Sequence, residues 1–364
     1  MLQEKVYPVV FEAEFYSVTP WWGGGPYGTV KLPEDGYWYP SSETIVGKTK
    51  WFARALKWTC SQNQSLNHRV LERDIRALFG YSKGNDELSG SSMFQLSIAP
   101  DSKSSPNALY RQLKEVPRVK LGLIGRGFLR YYDSPIDGVR FKAEVRVVPE
   151  KLGGSPIGVQ RFTAAMMLTL AYAGIGRAAN RGFGRFYPDA NTIKLIGSDE
   201  IIELGKFIEQ GNVAEAFKRG FKIIFGSDYE NCKNIYEIIK CAIKDMNTVL
   251  EKIGSAFLYN NYRRDGVQLY KMASFGLPRK HLRAKVRGKD IMRAQSPIIA
   301  SPVKIRQSEM IGQSEIDVLL INLNHDYLFS IHNGKKPLLS PSDYNDMLEK
   351  LKSKLKSLCG GGSS

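Results

Sequence analysis

A chain of 364 residues with 43% hydrophobic content is long enough for two domains, each with its own core. Lys plus Arg exceed Asp plus Glu by 52 to 36, a formal charge of +16 and a pI near 9.5, and such an excess in a globular protein points to a polyanionic partner, nucleic acid first. No apolar run approaches the ~20 residues of a spanning helix and the first ten residues lack the shape of a signal peptide, so the sequence predicts a cytoplasmic protein with no membrane role.

Residues 6–18 alternate Phe11, Ala13 and Phe15 with Glu12, Glu14 and Tyr16, the pattern of a half-buried strand. Thr19-Pro20 ends it. Trp21, Trp22, Gly23 to Gly25, Tyr27, Tyr37, Trp38 and Tyr39 then form an aromatic, glycine-rich loop that either stacks unpaired bases or lids the core. Residues 45–59 read as a helix with Phe52, Ala55 and Leu56 inward and Lys50, Arg54 and Lys57, spaced i, i+4, i+7, on a basic second face. Burial is the favoured reading for Trp51. Leu71, Ile75 and Leu78 repeat the helical pattern, with Arg69, Arg73 and Arg76 beside them and Gly80 as a stop. Residues 93–98, 118–124 and 140–148 are strand candidates, with a polar loop over 99–107.

Ser155 and Pro156 read as an N-cap and first helical residue, and Val159, Phe162, Met166 and Leu170 as the buried stripe of a helix that leads into the stretch 174–186. There Gly174, Gly176, Gly182 and Gly184 supply positive φ, which glycine alone adopts freely. Arg177, Arg181 and Arg185 sit among them, so exposed amides and guanidinium groups would make an anion nest with fixed charge. The plainer alternative is a turn whose arginines are solvated. Residues 183–186 and 192–196 read as extended chain beyond it. Strand, helix, two strands, helix, strand is the βαββαβ order of a ferredoxin-like, α+β plan. A domain boundary is expected near 197–198.

Beyond it, 200–210 and 213–219 read as short helices, 221–225 as a strand, and 231–253 as one long helix carrying Ile235, Ile239, Ala242, Met246, Val249 and Ile253 on one side. Residues 279–306 hold nine Lys or Arg against one acidic residue, Asp290, a phosphate-contacting composition. Residues 316–322 and 327–331 read as a strand pair, and 341–358 as an amphipathic helix striped by Tyr344, Met347, Leu348, Leu351, Leu355 and Leu358. The glycine-rich end, 359–364, is expected to be a flexible tail.

Chemistry is sparse. Cys60, Cys232, Cys241 and Cys359 lie far apart without CxxC spacing and read as buried or incidental thiols. His68, His281, His325 and His332 show no metal-ligand spacing, and neither a Walker A sequence nor GxGxxG after a strand is present. No metal, cofactor or catalytic residue is therefore expected. His281, beside Lys280 and Arg283, is the one histidine a metal-independent RNA cleavage would use.

The stretches FYSVTPWWGG (15–24), TIVGKTKWFARAL (44–56), LFG (78–80), RGFGR (181–185), FGLP (275–278) and RAQSP (293–297) together resemble the RAMP superfamily of CRISPR systems, most closely the first-numbered RAMP subunit of the type III-B Cmr effector complex. Lys50 stands where that family usually has arginine, and Gln295 is inserted into its Ala-Ser-Pro. The resemblance implies two ferredoxin-like (RRM-like) RAMP domains in tandem, over 1–197 and, less regularly, 198–358. It also implies a non-catalytic antiviral subunit that holds guide RNA (crRNA) toward its 3′ part, helps capture target RNA and contacts other RAMP subunits. The expected RNA contacts are Lys48, Lys50, Arg54, Lys57, Arg177, Arg181, Arg185, Arg283, Lys285 and Arg293. Replacing Arg181 and Arg185 by Ala is expected to weaken binding while leaving the thermal midpoint within a few degrees. The alternatives are a metal-independent endoribonuclease that processes CRISPR repeats, and a purely structural, protein-binding subunit.

Overall fold

In a computed structural model of the chain, the residues described are 7–23, 39–60, 75, 78–79, 94–109, 112–113, 115–117, 135–147, 156–195, 199–226, 232, 235–275, 285–286, 289–290, 296–304, 315–323, 332–333, 336–337 and 339–360. They belong to two compact units: 1–109, 130–177 and 183–233 form one, and 110–129, 178–182 and 234–364 the other. Both are α+β with antiparallel sheets.

The first unit runs β1 (Val9–Ser17), α1 (Ser42–Cys60), β2 (Phe94–Pro100), the short pair β3 (Asn107–Ala108) and β4 (Ile136–Asp137), β5 (Arg140–Val147), α2 (Pro156–Leu168), β6 (Phe186–Pro188), β7 (Lys194–Leu195), α3 (Asp199–Glu209) and α4 (Val213–Phe225). Its sheet has the order β2-β5-β1-β6, with β7 also on β1, and the β1–β5 register sets Ala13 opposite Ala143 and Phe15 opposite Phe141. The alternation therefore works as the sequence implies. Phe11, Ala13, Phe15, Phe141, Ala143 and Val145 are buried, whereas the other face is a lattice of ion pairs. Lys142 meets Glu12 and Glu144 at 3.0 Å each, Arg146 meets Glu144 at 2.9 Å, and Arg140 meets Asp101 at 3.0 Å. Exposed pairs of this kind stabilise little one by one. Their consequence is functional: these cations already have carboxylate partners.

Residues 221–225 are the end of α4 and not a strand. Ala216, Phe217, Gly220 and Phe221 continue a 3.6-residue stripe, and Gly220 lets the helix close on Leu168, whose Cδ1 a Cβ there would meet at 2.6 Å. A five-residue apolar run does not by itself distinguish strand from buried helix.

The second unit runs β8 (Tyr236–Ile243), α5 (Met246–Ala256), α6 (Tyr259–Arg263), β9 (Lys285–Val286), β10 (Lys289–Asp290), β11 (Ile298–Lys304), β12 (Ile316–Asn322), β13 (His332–Asn333), β14 (Lys336–Pro337) and α7 (Pro341–Gly360). Its main sheet has the order β11-β12-β8. The long helix expected over 231–253 is thus a strand followed by a helix. Asp245 is the reason for the break: it caps α5, its Oδ2 accepting the Thr248 N–H at 2.7 Å. A bulge between β8 and β12 is held by Asp317, whose Oδ1 accepts the Cys241 N–H at 2.8 Å. Val249 and Ile253 of α5, Ala300 of β11, Val318 and Leu320 of β12, and Tyr344, Met347, Leu348, Leu351 and Leu355 of α7 share the core. The strands expected over 118–124 and 327–331 lie outside the described residues, as does most of the helix around Leu71.

All four cysteines are paired, contrary to the thiols expected. Cys60 is bonded to Cys232 in the first unit and Cys241 to Cys359 in the second, with Cα separations of 4.6 and 4.4 Å. The partners are 172 and 118 residues apart in sequence, where no spacing rule applies. Cys359 lies in the last turn of α7, so the expected tail begins as helix.

Candidate nucleic-acid interface

α2 ends in a π turn, Thr169–Ala173, closed where Gly174 N–H donates to Thr169 O at 2.7 Å. From there the chain turns on its glycines: Gly174, Gly176, Gly182 and Gly184 have φ of 65°, 81°, 94° and 67°. At Gly176 a Cβ would meet Trp22 O at 2.5 Å, so glycine is required by space as well as by φ. This is the conformation the residue types imply, but its amides do not form an open nest. Ile175 N–H donates to Gly184 O, Arg177 N–H to Trp22 O and Gly184 N–H to Pro20 O at 2.7–3.0 Å, and Arg185 N–H donates to Thr19 Oγ1 at 3.0 Å. These donors are spent on the first unit's own architecture, knitting 174–177 and 183–185 to the segment that follows β1.

The three loop arginines separate. Arg185 is fully buried; its Nη1 donates to Phe183 O at 3.1 Å, and burial pushes its guanidinium down to about 9. Arg181 is 9% exposed and lies in the second unit, its guanidinium carbon 5.5 Å over the Phe257 ring. Both side chains are buried in this conformation, in contrast to the open presentation that the sequence implies. Arg177 is half-exposed beside exposed Gly176, 6.0 Å over the Trp22 ring. Trp21 and Trp22 are buried, so at these two positions the aromatic run lids the core; Trp38 and its neighbours lie outside the described residues.

α1 packs on α2 and on the π turn through Ile45, Thr49, Phe52, Ala53, Ala55 and Leu56. That leaves Lys48, Lys50, Arg54 and Lys57 half-exposed, the partial exposure the i, i+4, i+7 spacing implies. Trp51 is half-exposed rather than buried, and carries the Lys48 ammonium 4.0 Å over its ring. The residue is partly exposed along its stem while its ammonium is buried, and that burial, followed by the charge of Arg185, pushes Lys48 down to about 7. The structure thus brings Lys48 of α1 into electrostatic contact with the end of the glycine loop. No sequence signal marks that pairing, because the two residues are 137 positions apart, 185 minus 48. Lys285 is in β9, opposite Asp290 and His332, while Arg283, Arg293 and His281 lie outside the described residues. Among the described residues no group of His, Cys, Asp or Glu is arranged to hold a metal ion, and no helix is long and apolar enough to cross a membrane.

No protein-family model matches the sequence, and a search of curated proteins finds no match. Solved structures do match. Cmr1 from Pyrococcus furiosus, in its apo form, is 19% identical, with a TM-score of 0.52 over 95% of this chain and 96% of that one. A chain of the type III-B Cmr-beta complex bound to cognate target RNA is 12% identical, with a TM-score of 0.57 over 95% of this chain and 99% of that one. The same complex with target RNA, AMPPnP and single-stranded DNA gives a TM-score of 0.56 at 12% identity, with the same coverage. The resemblance drawn from the motifs therefore holds at the level of fold: across nearly its whole length the chain is built like Cmr1 and like a chain of the type III-B Cmr-beta complex.

Proposed function

We propose that the chain is a non-catalytic, RNA-holding subunit of a type III-B Cmr ribonucleoprotein, gripping guide RNA toward its 3′ part and helping to capture target RNA. The observation that carries this reading is the fold shared over 95% of the chain with Cmr1 and with chains of complexes bound to cognate target RNA. The net charge of +16 supports it. So does the strand order. In the first unit β2-β5-β1-β6, with α1 and α2 as connections, is the order of a ferredoxin-like βαββαβ sheet. In the second, β8, α5, β11, β12 and α7, paired β11-β12-β8, follow the same plan through its first three strands. The interface within the first unit is the half-exposed set Lys50, Arg54 and Lys57 of α1 with Arg177 of the loop, and Lys48 beside them; the basic segment of Arg283, Lys285 and Arg293 extends the proposal to the second unit.

Titration of the protein with single-stranded RNA at several salt concentrations tests this. Neutralising ~5 phosphates gives a slope of log K against log salt near −3.5, and removing one contact with Arg177→Ala reduces its magnitude by about 0.7, with the thermal midpoint unchanged within a few degrees. A salt-independent affinity, or none at low salt, contradicts the reading. Incubation of the pure protein with repeat or target RNA is expected to give no cleavage, with or without EDTA. Cleavage that persists in EDTA and is lost in His281→Ala favours the metal-independent endoribonuclease instead.

The low value of Lys48 adds a pH dependence. Between about 7 and lysine's ordinary range the unfolded chain binds a proton that the folded chain does not, so the Lys48 contribution to stability grows as pH rises through that window and is absent below it. A phosphate favours the charged ammonium. RNA binding is therefore expected to take up a proton above about pH 7 and to weaken as pH rises further, a dependence that Lys48→Met flattens. Affinities measured across that window, with binding heats in buffers of different ionisation enthalpy, check the sign.

A further inference from the structure

We propose that the two cystine bridges are separately addressable: Cys241–Cys359 opens to a small reductant while the protein stays folded, and Cys60–Cys232 stays closed until the first unit opens. Each unit holds one bridge and no cysteine is left over, so thiols freed in one unit have no partner cysteine within that unit other than each other. What differs is access. In the first unit both members are interior, Cys60 at 6% and Cys232 at 4% exposure. In the second, Cys241 is equally interior at 5%, on β8, but Cys359 is half-exposed in the last turn of α7, flanked by exposed Lys356, Ser357 and Gly360. Exchange at a disulfide requires an attacker to reach one sulfur, and a terminal helical turn opens at far lower cost than a unit's core. The attacked atom is Cys359 Sγ, and Cys241 is the leaving thiolate.

With a water-soluble phosphine, one phosphine and one water give one phosphine oxide and two thiols. A dithiol does the same by exchange, becoming a cyclic disulfide. Opening frees Cys359 from Cys241 of β8, while Lys352 and Lys356 still hold the helix to Glu237 at 3.3 and 2.8 Å and Lys252 still donates to the Leu358 carbonyl. The helix stays docked and only the two sulfurs are released. The bridge is then a latch set by the thiol poise around the protein, which inside most cells keeps accessible cysteines reduced.

The test uses the full chain purified in air without reductant. Denatured, it should titrate no thiols. Treated natively with phosphine, then alkylated and digested, it should yield labelled Cys241 and Cys359 at least about ten times faster than labelled Cys60 and Cys232. Cys359→Ser should leave the Cys60–Cys232 peptide intact and a single, slowly labelled thiol at Cys241. Four thiols in the air-purified protein, crossed pairs, one common rate for all four cysteines, or faster labelling of Cys60 and Cys232 each overturns the proposal.

Discussion

Gly184→Ala is expected to lower the melting temperature of the first unit by about 6–16 °C. At φ +67° a side chain costs ~1–2 kcal/mol by itself. A Cβ there also lands on the carbonyl oxygen of Ile175, a backbone atom that has no free direction to move. Relieving the overlap breaks the Ile175 N–H bond to Gly184 O and the Gly184 N–H bond to Pro20 O, worth ~1 kcal/mol each. The sum, about 3–4 kcal/mol, is a large share of a typical stability of ~5–15 kcal/mol, and each kcal/mol shifts a unit of this size by ~2–4 °C. Gly226→Ala is the control. Its φ is +65° with ψ −132°, but nothing lies within 4 Å of the added carbon, so the backbone term of ~1–3 kcal/mol should appear without any steric one. Equal effects of the two substitutions, read by calorimetry, would contradict a rigid contact between the added carbon at 184 and the Ile175 carbonyl.

Arg185→Ala is expected to cost about 3 kcal/mol, with RNA affinity lost only as far as the fold is lost. The substitution removes a buried guanidinium, leaves the Phe183 carbonyl without its donor and opens a void beside Gly174, whose added Cβ would overlap the arginine's Nη1. Because burying a cation is itself costly, Arg185→Met should cost less than Arg185→Ala: it fills much of the same space without a charge to desolvate. Arg177→Ala should do the reverse of Arg185→Ala, sparing the midpoint and weakening RNA. A midpoint for Arg185→Ala within a few degrees of the parent, together with a uniform loss of RNA affinity, would return Arg185 to the phosphate-binding role that its sequence context implies.

That contrast marks how far the sequence could be read. Period-two and period-3.6 patterns locate β1, α1, β2, β5, α2, α3, β12 and α7 to within a few residues, because one face of each meets a core and the other does not. They misplace the elements of 221–225 and 231–253. The first is too short for its period to distinguish strand from helix, and in the second one side chain, Asp245, decides where strand gives way to helix. The glycines of the loop announce their backbone, and all four adopt it. The arginines between them announce only charge. Which way each side chain turns depends on hydrogen bonds to Thr19, Pro20 and Trp22, more than 150 residues earlier, and a reading local in sequence does not contain them. The same holds for the cystines and for the closeness of Lys48 to Arg185.

The most direct test of the central claim is recovery of the untagged chain from its own cells, followed by sequencing of the RNA and identification of the proteins that come with it. An RNA-holding Cmr subunit is expected to bring a ladder of guide RNAs in company with other RAMP subunits of a Cmr-type complex. Recovery of the chain with protein partners but no RNA, or alone, would contradict it.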